Sequence, residues 1–185
     1  MLCNDTRAYV ECAEIEASEP EAPAISGNLM MPGFTAPKLL WMRKREPVVF
    51  ERVRKVVLPK DYVGLCLSGE TVCDMSDASG TGWLDVADRD WSDRLLAATH
   101  LTRSHMPRLV EGTECAAQLR EALRLEWGIS HTVWIAGGAA IDVHGGHTKR
   151  WSCATLRYPL GGATRRCTGG SRSDPGRERA REPRA

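Results

Sequence analysis

Residues 32–47 read Pro32-Gly33-Phe34-Thr35-Ala36-Pro37-Lys38-Leu39-Leu40-Trp41-Met42-Arg43-Lys44-Arg45-Glu46-Pro47. Pro32-Gly33 is a turn signal. The Thr35 hydroxyl is placed to cap a helix by accepting a bond from an otherwise unpaired first-turn amide. Pro37 then falls in the first turn, where a missing N–H removes no helical bond. Leu39, Leu40, Trp41 and Met42 supply the apolar side. Lys38, Arg43, Lys44 and Arg45 are expected toward water or the last-turn carbonyls, which favour cations. Pro47 disfavours helical geometry at Glu46, so the spacing predicts a short helix over 36–45.

Outward from this helix, the chain has ordinary globular composition. Its 185 residues can enclose one core, and 42% of them are hydrophobic. Charge is unevenly spread: residues 1–150 hold 17 Lys and Arg against 21 Asp and Glu, whereas residues 151–185 hold 8 Arg against 3 acids. No apolar run reaches the length of a membrane span, and the first residues lack the pattern of a signal peptide. Seven cysteines without a Cys-x-x-Cys pair suit a reduced, cytoplasmic compartment. There is no internal repeat and no Walker A string. Gly80-Thr81-Gly82 is too short to be read as a phosphate loop.

Local signals predict helices near 6–17 and 92–99, the first capped by Asp5 or Thr6 and the second by Ser92. A further helix follows Pro47, and Asp61 is expected to cap a helical turn running through Leu65 and ended by Ser68-Gly69. Strands are expected near 56–58, 83–86 and 133–136, the last of them buried, with another over Cys115 to Leu119. Glu121 to Trp127 reads as an amphipathic helix stopped by Gly128. Glu19 to Pro23 and Thr71 to Gly82 read as loops, and Asp88 to Trp91 as a turn. Asp74 and Asp77 invite an acid/base or metal role. The default for short carboxylates in such a loop is bonding to backbone amides. His144, His147 and Cys153 match no strong zinc spacing. From Gly161 onward, Gly, Arg, Ser and Pro offer too little apolar surface to offset ordering entropy, which predicts disorder.

The string Gly33 to Trp41 with its basic follow-on resembles the first signature of the FGGY carbohydrate kinases, nearest to the xylulokinases. Arg45 departs from the residues usual at that position. Asn4, Asp5 and Arg7 match a second segment, with Cys3 where the family has a Trp lining the sugar site. Ile25 to Met30 resembles the segment ahead of the signature helix, and Ser76-Asp77-Ala78-Ser79-Gly80-Thr81 is a further match. Ala136-Gly137-Gly138 matches the start of Ala-Gly-Gly-Gly-Asp-Asn, whose Asp is the family's catalytic base. Here Ala139-Ala140-Ile141-Asp142 follows. Asp142 is therefore the nearest candidate base, displaced by two positions and without the following Asn.

The resemblance covers residues 2–138. It implies an α/β fold: a partial ribonuclease-H-like (actin-like ATPase) N-terminal domain of a sugar kinase, with an incomplete sheet and several short helices. Residues 1–138 would form that partial domain, and residues 139–185 a divergent or frame-shifted basic tail. The expectation is a gene truncated at its front and shifted out of frame after Gly138. By family the reaction is phosphorylation of D-xylulose by ATP with Mg2+. The family's phosphate turn (Asp-x-Gly-Thr-Ser) has no counterpart here, so this chain alone is expected neither to bind ATP and Mg2+ nor to catalyse the step. No substrate-binding residue is assigned. A homodimer is compatible with the resemblance, but no residue pattern calls for one.

A reading from another class is a non-catalytic binding protein whose basic tail touches nucleic-acid phosphates. The tail has eight Arg, one Tyr, one Trp and no Phe, so base stacking is scarce and nucleic acid is the less favoured partner.

Overall fold

The computed structural model describes residues 4–138. The expectations that fall on Asp142, His144, His147, Cys153 and the tail from Gly161 lie outside the described residues, as do Leu2 and Cys3. The fold is mixed α/β. It comprises helices α1 (Tyr9–Ser18), α2 (Ala22–Ser26), α3 (Thr35–Arg45), α4 (Pro47–Phe50) and α5 (Pro59–Ser68). Strand β1 (Val72–Asp74) and helix α6 (Met75–Ser79) follow, then β2 (Leu84–Asp85), β3 (Asp90–Trp91) and α7 (Asp93–Ala98). A 3-10 turn (Arg103–His105), β4 (Arg108–Val110), β5 (Cys115–Gln118), α8 (Glu121–Glu126) and β6 (Trp134–Ala136) complete it. Strands β1 and β4 pair in parallel, whereas β2 with β3 and β5 with β6 are antiparallel. Among the described residues no helix is long and apolar enough to cross a membrane.

The signature helix forms where the sequence predicts it, with a different start. Thr35 is its first residue and makes no capping bond. The Thr81 carbonyl accepts the Ala36 amide at 2.9 Å, so a distant segment does the work expected of the Thr35 hydroxyl. Lys38 is a second correction: it is buried, and its ammonium donates to the Gly33 carbonyl at 2.7 Å rather than facing water. Leu39 and Leu40 are buried, and α3 packs on α1. Lys44 ties the two helices through Glu11 at 3.1 Å.

Beyond α3 the core gathers Cys12, Ile15, Leu40, Trp83, Leu95 and Leu96. Trp83 and Trp91 satisfy their buried indole N–H groups on Thr99 Oγ1 and the Pro107 carbonyl, each at 2.9 Å. Ser92 caps α7 by accepting the Leu95 amide, as the sequence predicts.

Several expectations are corrected. The first helix starts at Tyr9 and has no side-chain cap; Asp5 accepts the Arg7 amide instead. The loop expected from Glu19 to Pro23 gives way to α2 at Ala22. Residues 56–58 are no strand: Val56 bonds to the His105 carbonyl, and the chain then enters α5 at Pro59, which has no N–H for a ladder. Asp61 does not cap α5 but lies inside it, buried. The strand near 83–86 is shortened because Asp85 Oδ1 captures the Ala87 and Asp88 amides and turns the chain back into β3. The strand near 133–136 forms, yet Trp134 is 46% exposed, so the strand is not buried along its length. The stretch from Thr71 to Gly82 holds β1 and α6 rather than loop throughout.

Candidate functional site

Strands β1 and β4 run in register, with Asp74 opposite Val110, so both end at the same edge. Open α/β sheets present ligands at such carboxyl ends. Asp74 is the last residue of β1 and the N-cap of α6. Its Oδ2 accepts the Ser76 amide at 3.0 Å and the Asp77 amide at 3.2 Å. This is the amide-satisfying role that the composition of the stretch suggested.

Its other oxygen serves a different purpose. Asp74 Oδ1 lies 2.8 Å from Lys60 Nζ. The same ammonium reaches Asp61 Oδ1 at 2.6 Å, Asp77 Oδ2 at 3.3 Å and the Gly137 carbonyl at 2.9 Å. The side chains of Asp61 and Asp74 are almost wholly buried, that of Asp77 is mostly buried, and that of Lys60 is 30% exposed. Burial works against the charged Lys60, but its bonds to Asp61 and Asp74 outweigh burial and hold its pKa above the usual lysine range. Burial pushes the Asp77 carboxyl up; the Lys60 charge opposes this, and the Asp74 charge adds to it. Burial likewise pushes the Cys73 thiol up, as does the Asp61 charge beside it, so Cys73 is an inert core thiol.

A cavity of about 340 Å³ opens above these strand ends. Asp74, Ser76, Ser79, Arg89 and Glu111 supply its polar lining, and Met75, Leu84 and Val86 an apolar one. Arg89 sits at the tip of the β2–β3 hairpin with φ 55° and pairs with Glu111 across the rim. Gly138 closes one side. Hydroxyls and carboxylates beside apolar surface suit a ligand with several hydroxyl groups and some C–H surface.

The structure thus brings Asp74, Asp77, Gly137 and Gly138 together. It leaves Gly80-Thr81-Gly82 out: Thr81 is buried, bonding internally to Ala78 and Trp83. No set of three His, Cys, Asp or Glu among the described residues is arranged to hold a metal. Lys60 already fills the cation position among the three carboxylates, so these residues do not fit a Mg2+ site. Sequence reasoning missed Lys60, although the string Pro59-Lys60-Asp61 places a cation and a carboxylate in the first turn of a helix.

The profile of the FGGY family of carbohydrate kinases, N-terminal domain, matches residues 1–146. The xylulose kinase of Escherichia coli (strain K12) is 51% identical over 138 residues, which cover 75% of this chain and 28% of that one. A crystal structure of a xyloylose kinase from Brucella ovis superposes with a TM-score of 0.73 at 54% identity, covering 75% of this chain and 28% of that one. The xylulose kinase structure from Rhodospirillum rubrum gives 0.66 at 28% identity, over 73% of this chain and 28% of that one. The chain therefore spans little more than a quarter of the length of these relatives.

Proposed function

The chain belongs to the FGGY family of carbohydrate kinases, and from that membership we propose that it forms one wall of the sugar site of a xylulokinase. The whole reaction would be transfer of the γ-phosphoryl group of ATP to a hydroxyl of D-xylulose, giving xylulose 5-phosphate. The observation that carries this reading is the cavity at the joint end of β1 and β4, with its hydroxyl, carboxylate and guanidinium lining.

Phosphoryl transfer to an alcohol needs a carboxylate to take the hydroxyl proton, groups to hold the triphosphate, and polar groups to orient the sugar. The described residues contribute to the third need. Ser76 can donate to or accept from sugar hydroxyls; Ser79, whose hydroxyl already donates to the Ser76 carbonyl, can accept, as can Asp74 and Glu111, and Arg89 can donate. Met75, Leu84 and Val86 give apolar surface for C–H groups. Asp74 is already committed to the α6 amides and to Lys60, which makes it an orienting group and not a free base. Asp142, the carboxylate nearest to the base position that the resemblance implies, is displaced from it by two residues, so this wall does not itself supply the proton acceptor. ATP, with its Mg2+, would supply the phosphoryl group when bound, and the residues that would hold it are not among those described.

A chimera tests the proposal. Residues 4–138 of this chain replace the matched segment of the Escherichia coli relative, and phosphorylation of D-xylulose is followed by ADP release. The expected result is a soluble enzyme that phosphorylates D-xylulose in preference to glycerol and gluconate. A folded chimera that prefers another polyol, or that has lost turnover, overturns the reading.

A further inference from the structure

The turn after β6 is pressed between two parts of the fold that are far apart in sequence. A Cβ on Gly137 would lie 2.6 Å from the Glu111 carbonyl and 2.7 Å from Val110 Cγ2, so the backbone there touches the end of β4 directly. Gly138 has φ 92°, and a Cβ on it would lie 3.0 Å from Lys60 Cδ, so the next residue rests on the lysine stem. The Gly137 and Gly138 amides donate to the Glu114 and Gly112 carbonyls at 3.1 and 3.0 Å. The Gly137 carbonyl points the other way, to Lys60 Nζ at 2.9 Å.

Lys60 therefore meets the turn with both its stem and its ammonium. That ammonium has three N–H groups and four oxygens around it, three of them from carboxylates on α5, β1 and α6. A charge so held is fixed in place, because moving it would leave buried carboxylates uncompensated.

We infer that Lys60 is a positioning residue: it holds the Gly137–Gly138 turn against the ends of β1 and β4 and so sets one wall of the cavity. The carboxylates fix the ammonium, and the ammonium fixes the carbonyl. The device acts on the cavity whatever ligand occupies it; its bearing on sugar phosphorylation rests on the function proposed above.

Native-state hydrogen exchange on the full chain, without substrate, separates positioning from charge balance. In Lys60→Met the Gly137 and Gly138 amides should exchange at least about tenfold faster relative to the core amides of Leu96 and Thr99. Lys60→Arg is the deciding variant. It keeps the positive charge, but its longer, planar guanidinium does not match the compact ammonium and stem that meet Gly137 and Gly138 here. It should restore most of the thermal stability lost in Lys60→Met, yet leave the two glycine amides fast and the Gly137 carbonyl carbon shifted in the NMR spectrum. Restored protection of the turn in Lys60→Arg would show that charge alone matters and would overturn the inference. So would unchanged exchange in Lys60→Met, or a Lys60→Arg chain that fails to fold. If Lys60→Met itself does not fold, the arginine variant decides against the unsubstituted protein.

Discussion

Asp77 is the carboxyl in the Lys60 cluster whose charge costs the fold something. Burial raises its pKa above the ordinary aspartate range, the Lys60 charge opposes that, and the Asp74 charge adds to it. A raised carboxyl favours the folded state fully below its unfolded pKa. That contribution is lost as pH climbs through the folded value. Asp77→Asn carries no such charge, so the variant should gain on the unsubstituted chain as pH rises from about 3.5 to 7. Thermal unfolding at both pH values measures this; a relative loss for the variant with rising pH would mean that the Lys60 pairing outweighs burial. At this scale the sequence was half legible. Asp74 and Asp77 stood out as short acids in a run of small residues, and the helix-capping part of Asp74's role follows from that. Lys60 did not stand out, because its importance comes from three partners at positions 61, 74 and 77 and a carbonyl at 137. Only the first is a neighbour in the chain.

Elements were legible where the signal is local. Helix α3 ends where Pro47 requires, and α7 begins at the Ser92 cap. The parallel pair was not legible: β1 and β4 have three residues each, too few to display a period of two, and they are stabilised by each other across the intervening chain. Exposure of each helix also depends on what the rest of the fold brings to it. Helix α3 buries Leu39 and Leu40, whereas α8 buries none of its residues and leaves Leu125 63% exposed. Both helices look amphipathic in sequence, so a paired substitution separates them. Leu40→Ala should cost about 2–5 kcal/mol in urea unfolding, the range for a leucine deleted from a packed core. Leu125→Ala should change stability by no more than about 0.5 kcal/mol. Equal costs at the two positions would show that α8 packs on something the described residues do not provide.

For the molecule as a whole, the decisive fact is that a wall of a site is not the site. Phosphoryl transfer depends on positioning the nucleophile and on stabilising charge as it moves between oxygens. The described residues line a cavity at one sheet edge, and the lysine beside it, Lys60, is held by three carboxylates instead of facing a phosphate. The sequence has no Asp-x-Gly-Thr-Ser turn, and Ala139 and Ala140 follow Gly138 where the resemblance would put the base. Loss of such groups removes orders of magnitude in rate, and losses of groups that act together do not simply add. A purified polypeptide of these 185 residues should therefore give no ADP release from ATP and Mg2+ that depends on D-xylulose. The assay needs one control substitution. Xylulose-dependent ADP release that vanishes in Asp142→Ala would overturn the prediction, since it would show Asp142 taking the hydroxyl proton from its shifted position. Release that survives Asp142→Ala would point to a kinase of the expression host, and a repeat in a host strain lacking xylulokinase should then abolish it.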